Sequence, residues 1–312
     1  MRIVIIGAGM SGLACAQALE QMGHEVALFD KGRGPGGRMS TRRVAVDEAQ
    51  IAFDHGAQFF TARDPAFRVQ VEQWHKGGLV APWPAARADA WVGTPGMNAP
   101  VAHMASAHNA RFASHAMGLV REGAEWRVLL NDGTRHGPYD AAVLALPAEQ
   151  AAAFLGTYDL TMAACAIAAR SQPCWTAMIA FAERLPIAVD VLPPSGPVGW
   201  AARNSAKPGR PATEAWVVQA SPAWSTEHLE DDAAQVAAHL ADWLAGQAGG
   251  APLPVRLHLS AHRWRYAVAQ RSPKGALWNA KLRLGACGDW LLGPRIELAW
   301  LSGTRLAEII GG

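Results

Sequence analysis

Arg2-Ile-Val-Ile-Ile-Gly-Ala-Gly-Met-Ser-Gly12, followed by helical spacing from Leu13 to Met22 and then by Glu25-Val-Ala-Leu-Phe-Asp30, decides the fold. An apolar run, a glycine turn, a helix and a second apolar run ending on an acid describe a βαβ unit that binds a dinucleotide. Gly7 permits the tight turn, Gly9 lets the backbone approach a pyrophosphate, and Gly12 lets the helix pack closely on the sheet. The helix N-terminus, where Met10 and Ser11 lie, faces the phosphates with free N–H groups and a partial positive charge. Asp30 stands eighteen residues after Gly12, where a carboxylate accepts hydrogen bonds from an adenosine ribose. A carboxylate there repels a 2'-phosphate, so FAD or NAD is expected rather than NADP.

The chain of 312 residues exceeds the common size of one domain and suits a nucleotide domain with a second lobe inserted into it. A net charge of +2 gives no electrostatic reason to expect nucleic acid or an acidic membrane surface, and a small molecule is the expected partner. Cys15, Cys165, Cys174 and Cys287 form no C-x-x-C pair, so neither a disulfide framework nor a zinc site is indicated. The first strand starts at Arg2, leaving no room for a secretory signal, and no apolar stretch reaches membrane-spanning length. A soluble protein of a reducing cytoplasm is expected.

Beyond the first unit, Lys31-Gly-Arg-Gly-Pro-Gly-Gly-Arg38 is too glycine-rich for regular structure and basic enough to lie near phosphates. Pro65 to Trp74 has helical spacing, and the stretch from Pro82 to Trp91 marks a crossing into another lobe. Trp126-Arg-Val-Leu-Leu130 and Asn131-Asp-Gly133 predict a hairpin whose turn takes its positive φ from Asn and Gly. Ala141-Ala-Val-Leu-Ala145, stopped by Pro147, predicts a buried strand of the nucleotide sheet. Apolar runs between Ala177 and Gln219 alternate with Pro/Gly loops and predict a second, largely antiparallel sheet. Asp232 to Leu244 places Val236, Leu240, Trp243 and Leu244 on one helical face. Near the end, Leu282-Arg-Leu-Gly-Ala-Cys-Gly288 predicts a strand ending in Gly288-Asp289, then a loop through Gly293 and a helix from Glu297 to Ile310. Such a strand, Gly-Asp pair and helix N-terminus can meet a ribityl-pyrophosphate chain and a flavin ring, which favours FAD over NAD.

Three segments together resemble the FAD-dependent amine-oxidase superfamily: Gly7-Ala-Gly-Met-Ser-Gly12; Gly36-Gly-Arg-Met39 with Asp54-His-Gly-Ala-Gln58; and Gly288-Asp289 with Glu297-Leu-Ala-Trp-Leu-Ser-Gly303. Within it the chain is most similar to the bacterial renalases, through Trp91-Val-Gly-Thr-Pro-Gly-Met97, Pro173-Cys-Trp175, Trp200 to Arg210, Trp224-Ser225 and His262-Arg-Trp-Arg-Tyr-Ala267. The resemblance implies a p-hydroxybenzoate-hydroxylase-like α/β architecture. A Rossmann-type FAD domain (1–78, 100–158 and 278–312) would be interrupted by a largely antiparallel substrate domain (79–99 and 159–277). It assigns Gly7, Gly9, Met10, Ser11 and Gly12 to the pyrophosphate, Asp30 to the ribose, and Lys31, Gly37 and Arg38 to the phosphates or ribityl region. Gly288 and Asp289 would meet the ribityl or pyrophosphate oxygens, and Met39 and Gln58 the ring. The helix starting near Glu297 would face the flavin edge where negative charge gathers on reduction. The Ser-Gly-Gly-Cys-Tyr segment of covalent flavoproteins is absent, so Cys287 is expected in the core and FAD is expected to be noncovalent.

Renalases oxidise 2- or 6-dihydro isomers of NAD(P)H to NAD(P)+ and pass the electrons to O2, forming H2O2. Such a reaction asks mainly that a carbon be held against flavin N5, with no general base. Trp264 and Tyr266, two apart and sharing a face if the strand is extended, can stack on a nicotinamide ring, although such a pair also serves to pack a sheet. His262 shares that face. Arg203, Asn204 and Arg210, on a Pro/Gly-bearing loop with Lys207, can hold substrate phosphates or ribose hydroxyls, or simply be solvated. An oxidase of a small amine is the nearest alternative. A non-catalytic or redox-sensing FAD protein is a second, and an aromatic hydroxylase fits less well because Trp290 follows Asp289.

Overall fold

The computed structural model describes residues 1–46, 49–270 and 272–312. The chain opens with β1 (Arg2–Ile6), α1 (Met10–Gln21) and β2 (Glu25–Phe29), with α1 starting at Met10, ahead of the Leu13 expected from its apolar spacing. A 3-10 turn at Gly37–Met39 leads into the hairpin of β3 (Thr41–Val46) and β4 (Ala49–Asp54). α2 (Pro65–Lys76) begins where sequence places it, with Pro65 in its first turn and Asp64 accepting from the Ala66 and Phe67 amides. β5 (Val80–Pro82) and β6 (Trp91–Gly93) pair antiparallel, and α3 (Ala99–Ala107) follows.

β7 (Ala116–Glu122), β8 (Glu125–Leu130) and β9 (Arg135–Tyr139) form a three-stranded meander that includes the predicted hairpin. Its turn corrects one expectation, because only Gly133 has positive φ (83°) and Asn131 does not. The Asn131 amide instead donates to His115 O at 2.9 Å, which fixes that residue without a left-handed conformation. β10 (Ala141–Leu144), buried at every residue, returns the chain to the nucleotide sheet, and α4 (Ala148–Leu155) and α5 (Leu160–Ala168) cover it.

β11 (Ser171–Phe181), β12 (Val191–Leu192), β13 (Val198–Arg203) and β14 (Glu214–Ala220) then build the second sheet. α6 (Pro222–Glu227) and α7 (Ala233–Gly246) precede its last strand, β15 (Arg256–Ala269). The chain closes with β16 (Leu277–Asn279), β17 (Leu284–Ala286) and α8 (Ile296–Gly311).

The nucleotide sheet has the order β16-β17-β10-β1-β2, with β17, β10, β1 and β2 parallel. The chain moves outward from β1 to β2 and later returns on the other side of β1. The β1/β10 boundary is therefore a switch point, where a crevice opens at the strands' carboxyl ends. α1 and α8 cross so tightly that a methyl group on Gly303 would lie 2.1 Å from Ser11 O.

The second sheet, β12-β13-β14-β11-β15, is antiparallel throughout. One face packs Ala177, Ile179, Trp216 and Val218 against Val236, Leu240 and Leu244 of α7, the helical face read from sequence. Each fully buried leucine there contributes roughly 1.5–3 kcal/mol. The opposite face packs Met178, Ala180, Ala215 and Val217 against Ile51 and Phe53 of the β3–β4 hairpin. That hairpin links the two sheets and leaves the far end of β15 facing the nucleotide crevice.

Candidate dinucleotide and substrate site

The glycine turn has the shape its sequence requires. Gly7 takes φ +106°, and a methyl group there would lie 2.4 Å from Ala145 O; one on Gly12 would lie 2.0 Å from Gly7 O. Gly9 differs, for a methyl group on it meets no atom within 4 Å. Its backbone is open on the side toward which the first turn of α1 points its free amides. Gly37, in the glycine-rich loop, comes beside it, with its own methyl position 3.7 Å from Gly9 Cα. Asp30, at the end of β2, accepts from Ala8 N at 2.8 Å and Gly32 N at 2.6 Å, which seats its carboxylate over the turn. Lys31 beside it is exposed, whereas Met10 and Ser11 are buried in the first turn of α1.

Arg38 and Asp289, 251 residues apart, form a two-pronged pair at 2.8 and 2.6 Å, and Arg38 also donates to Ala267 O of β15 at 3.3 Å. A bidentate guanidinium–carboxylate contact fixes orientation as well as charge. The glycine-rich loop, the Gly288-Asp289 corner and the end of β15 therefore meet at one point. Met39 is buried in the core. Gln58 is buried with its amide donating to Asp54 O at 2.6 Å and Gly56 O at 3.0 Å. Glu297 lies in the first turn of α8, where its side chain has partners of its own. Its carboxylate accepts from the Arg63 and Asp64 amides, both at 2.6 Å, and pairs with Arg295 at 3.3 Å, so it anchors the loop before α2 to α8.

His262 and Trp264 of β15 pair with Thr176 and Cys174 of β11 and alternate onto one face, as their spacing anticipates, whereas Tyr266 falls where a register shift interrupts the pairing between Trp264 and Val268, so regular alternation does not carry it onto that face. Trp264 Nε1 donates to His55 O at 2.8 Å. The His55 ring lies 5.1 Å from the Trp264 ring and 5.0 Å from His262, which meets Trp264 edge-on at 4.6 Å. Burial, then His262 and Arg42, lower His55 to about 3; burial and Arg42 lower His262 to about 4. The structure thus supplies a half-buried indole flanked by two neutral imidazoles, of which His55 had no separate signal in the sequence beyond its place in Asp54-His-Gly-Ala-Gln58.

Arg203, Asn204 and Arg210 are not an open basic loop. Arg203 ends β13, is 1% exposed, bonds Glu214 at 3.1 Å, Asp190 and the Ile187 carbonyl, and lies over the Trp216 ring. Asn204 donates to Ala52 O at 2.8 Å and accepts from Asp54 N at 3.3 Å. Arg210 reaches Asp54 at 2.5 Å. The Pro208-Gly209 composition suggests solvent, but Glu214 and Asp190 draw Arg203 inward, the β4 backbone draws Asn204, and a carboxylate at the end of β4 draws Arg210.

That carboxylate, Asp54, centres a fully buried cluster that the sequence did not disclose. Lys207 Nζ lies 3.2 Å from Asp54 Oδ2 and 3.1 Å from Gln58 Oε1, and 5.3 Å above the Trp83 ring. Burial opposes the Asp54 charge, yet Lys207 and Arg210 outweigh it and hold the carboxyl far below its usual range. Burial pushes Lys207 down to about 8 against the pull of Asp54. No group of histidine, cysteine and acidic side chains suited to a metal ion occurs among the described residues. No described helix is long and apolar enough to cross a membrane.

A parallel sheet with a glycine cradle at its switch point, joined to an antiparallel sheet whose last strand faces that cradle, defines a two-sheet fold of the Rossmann type. Residues 5–73 match the NAD(P)-binding Rossmann-like domain. Over 42 residues the chain is 55% identical to the L-amino acid oxidase of Cerastes cerastes, a match spanning 14% of this chain and only 8% of that protein. Two solved structures share the fold over nearly the whole length. A protoporphyrinogen oxidase candidate from Exiguobacterium sp. 255-15 is 11% identical with a TM-score of 0.76, covering 99% of this chain and 98% of that one. Cyclohexylamine oxidase from Brevibacterium oxydans IH-35A is 13% identical with a TM-score of 0.70, covering 99% and 98%. The chain shares its overall fold with both of these proteins, a Rossmann-type nucleotide sheet joined to a second, antiparallel sheet, as its motifs led one to expect.

Proposed function

We propose that the chain is an FAD-dependent oxidoreductase that oxidises 2- or 6-dihydro isomers of NAD(P)H to NAD(P)+. The observation that carries this reading is the convergence of the open Gly9 turn, Asp30 and the Arg38–Asp289 pair with the Trp264–His262–His55 face of β15. The cradle fits an FAD pyrophosphate, because the only turn glycine with free space above it is the one whose backbone a phosphate must approach. Asp30 would take the ribose, and Arg38 with Asp289 the ribityl-pyrophosphate region; Gly37 would line the phosphates. When bound, FAD supplies a two-electron acceptor that takes the equivalent of a hydride from the dihydropyridine ring and delivers its electrons to O2 as H2O2.

The chain's own residues have a positioning task. Trp264, oriented by its bond to the His55 carbonyl, offers a flat face on which a nicotinamide ring stacks. His262 and His55, both neutral across the physiological range, shield the ring from water and offer hydrogen bonds without adding charge. Because the dihydropyridine nitrogen itself expels the hydride equivalent, no base is needed, and holding the donor carbon in line is the main contribution. Cys287 is buried in the core, its thiol 3.8 Å from Ser11 O, so FAD would be held without a covalent link.

The likeness to cyclohexylamine oxidase in fold keeps an amine substrate as the second reading. Against it stands Arg42, whose guanidinium lies beside His262 at 3.4 Å and repels a cationic amine. Anaerobic mixing of the yellow protein with 2- and 6-dihydro-NAD, NADH and a panel of amines, followed by flavin absorbance, tests the proposal. Rapid bleaching by a dihydro isomer with NAD+ formed, and recovery in air, is expected; bleaching by an amine alone would overturn it.

A further inference from the structure

Most of the cations near the crevice are matched by a carboxylate. Arg38 has Asp289, Arg203 has Asp190 and Glu214, Lys207 and Arg210 share Asp54, and Arg263 and Arg265 share Glu230. Arg42 is not matched in this way. It is half-buried on β3, across the hairpin from Phe53, and forms no salt bridge among the described residues. Its one side-chain partner there is a ring nitrogen, His262 Nδ1. Leaving a half-buried guanidinium without a counter-charge is unfavourable unless an anion arrives from outside the chain.

The surroundings suit such an anion. His258, Ser260, His262 and Trp264 occupy alternate positions of β15, opposite Ala180, Met178, Thr176 and Cys174 of β11, and so line one face. His258 Nε2 and Ser260 Oγ are 2.8 Å apart, and the His258 ring packs on Phe53 at 5.5 Å, which brings it to the Arg42 side of the hairpin. His55, 5% exposed, has an Nδ1 without a hydrogen-bond partner among the described residues. Burial and the Arg42 charge lower His258 as they do His262, so these imidazoles do not add repulsion of their own. Two residues of strand separate His262 from Trp264, about 7 Å. A nucleotide has this order of parts, with a flat base at one end, a ribose, and then an oxyanion.

We infer that Arg42, flanked by His262 and His258, binds the phosphates of the substrate, so that the site takes a phosphate-bearing dihydronicotinamide nucleotide and not a free ring or an amine. The inference rests on Trp264 being the ring platform, and it adds the group that recognises the rest of the molecule. A guanidinium fork suits a phosphate because two of its N–H groups reach two oxygens at once.

Steady-state kinetics of the FAD-loaded protein, with 6-dihydro-NAD and with the corresponding dihydronicotinamide riboside, test it. In Arg42→Ala the KM for the dinucleotide should rise about ten- to hundredfold, the worth of a charge-assisted hydrogen bond, while the KM for the riboside stays put. Arg42→Lys should recover part of the loss. Equal changes for both substrates, or none, would overturn the inference. Calorimetry with inorganic pyrophosphate separates this from the broader reading. Heat of binding in the wild type that vanishes in Arg42→Ala supports the anion site even if no dihydronicotinamide is oxidised. Absence of pyrophosphate binding to the wild type counts against it even if one is.

Discussion

At the scale of single residues, the three turn glycines look equivalent in sequence and are not equivalent in space. Gly12 has no room for a methyl group because Gly7 O would stand 2.0 Å away, whereas Gly9 has free space and an ordinary φ of −83°. Gly12→Ala should therefore disrupt the fold, seen as a lowered melting temperature without any ligand. Gly9→Ala should keep the melting temperature of the apoprotein and lose FAD affinity, since the added methyl group projects into the space the pyrophosphate needs. Overpacking of about 1–3 kcal/mol corresponds to about five- to 150-fold in Kd. Flavin titration of the two variants measures the contrast, and a Gly9→Ala protein with unaltered affinity would remove Gly9 from the phosphate site. His262 supports a second expectation. Its folded value of about 4 lies below its ordinary 6.5, so between those values the unfolded chain takes up a proton that the folded one refuses, and stability falls as pH falls through that window. By the same token kcat/KM should show no histidine limb between about pH 5 and 8, and an inflection near neutrality in the wild-type profile would contradict the buried, neutral pair.

At the scale of elements, what was legible in the sequence depended on how far apart the cooperating residues lie. β1, α1 and β2 were readable because strand, turn, helix and acid are contiguous and each leaves a local mark. β15 was readable because alternation survives in an extended strand. Asp54 and Lys207 are 153 residues apart, and nothing in either neighbourhood announces the other. Arg203, Asn204 and Arg210 look in sequence like a loop free to hold substrate or be solvated for the same reason, since Pro208 and Gly209 are visible locally and the partners that draw the three side chains inward are not. Glu297 sits at the start of α8 as expected, but its side chain serves the backbone of residues 63–64, a tertiary partner without a sequence signature. The buried cluster makes a prediction of its own. Asp54→Asn leaves Lys207 and Arg210 buried without a counter-charge and should destabilise by about 3–5 kcal/mol, measured by urea unfolding. Lys207→Met should cost less, because Asp54 retains Arg210. The sign with pH follows from the depressed Asp54 carboxyl, whose contribution is complete above its unfolded value and is lost as acid protonates it. Equal losses in the two variants would show that Asp54 and Lys207 do not divide the cluster in this way.

At the scale of the whole molecule, the two sheets are joined by specific polar contacts as well as by apolar packing. Arg38 holds Asp289 and the Ala267 carbonyl, Trp264 holds the His55 carbonyl, and Asn204 and Lys207 reach back to β4. A ligand seated on the Gly9 turn and along Arg38 and Asp289 therefore touches the point where the nucleotide sheet, the glycine-rich loop and β15 are tied together. Its binding energy should reach the second sheet, where no FAD contact is proposed. Ligand in hundredfold excess over its Kd stabilises the folded state by about 2.7 kcal/mol. Hydrogen exchange with and without FAD should show that gain as slower exchange in β11 and β14 together with β1 and β10. Acid denaturation of the same sample should release all of the flavin into solution, as expected of noncovalent FAD. Protection confined to the β1–β10 sheet would mean that the sheets open independently, and the ties through Arg38, Trp264 and Lys207 would then be local contacts that do not couple the cofactor to the substrate face.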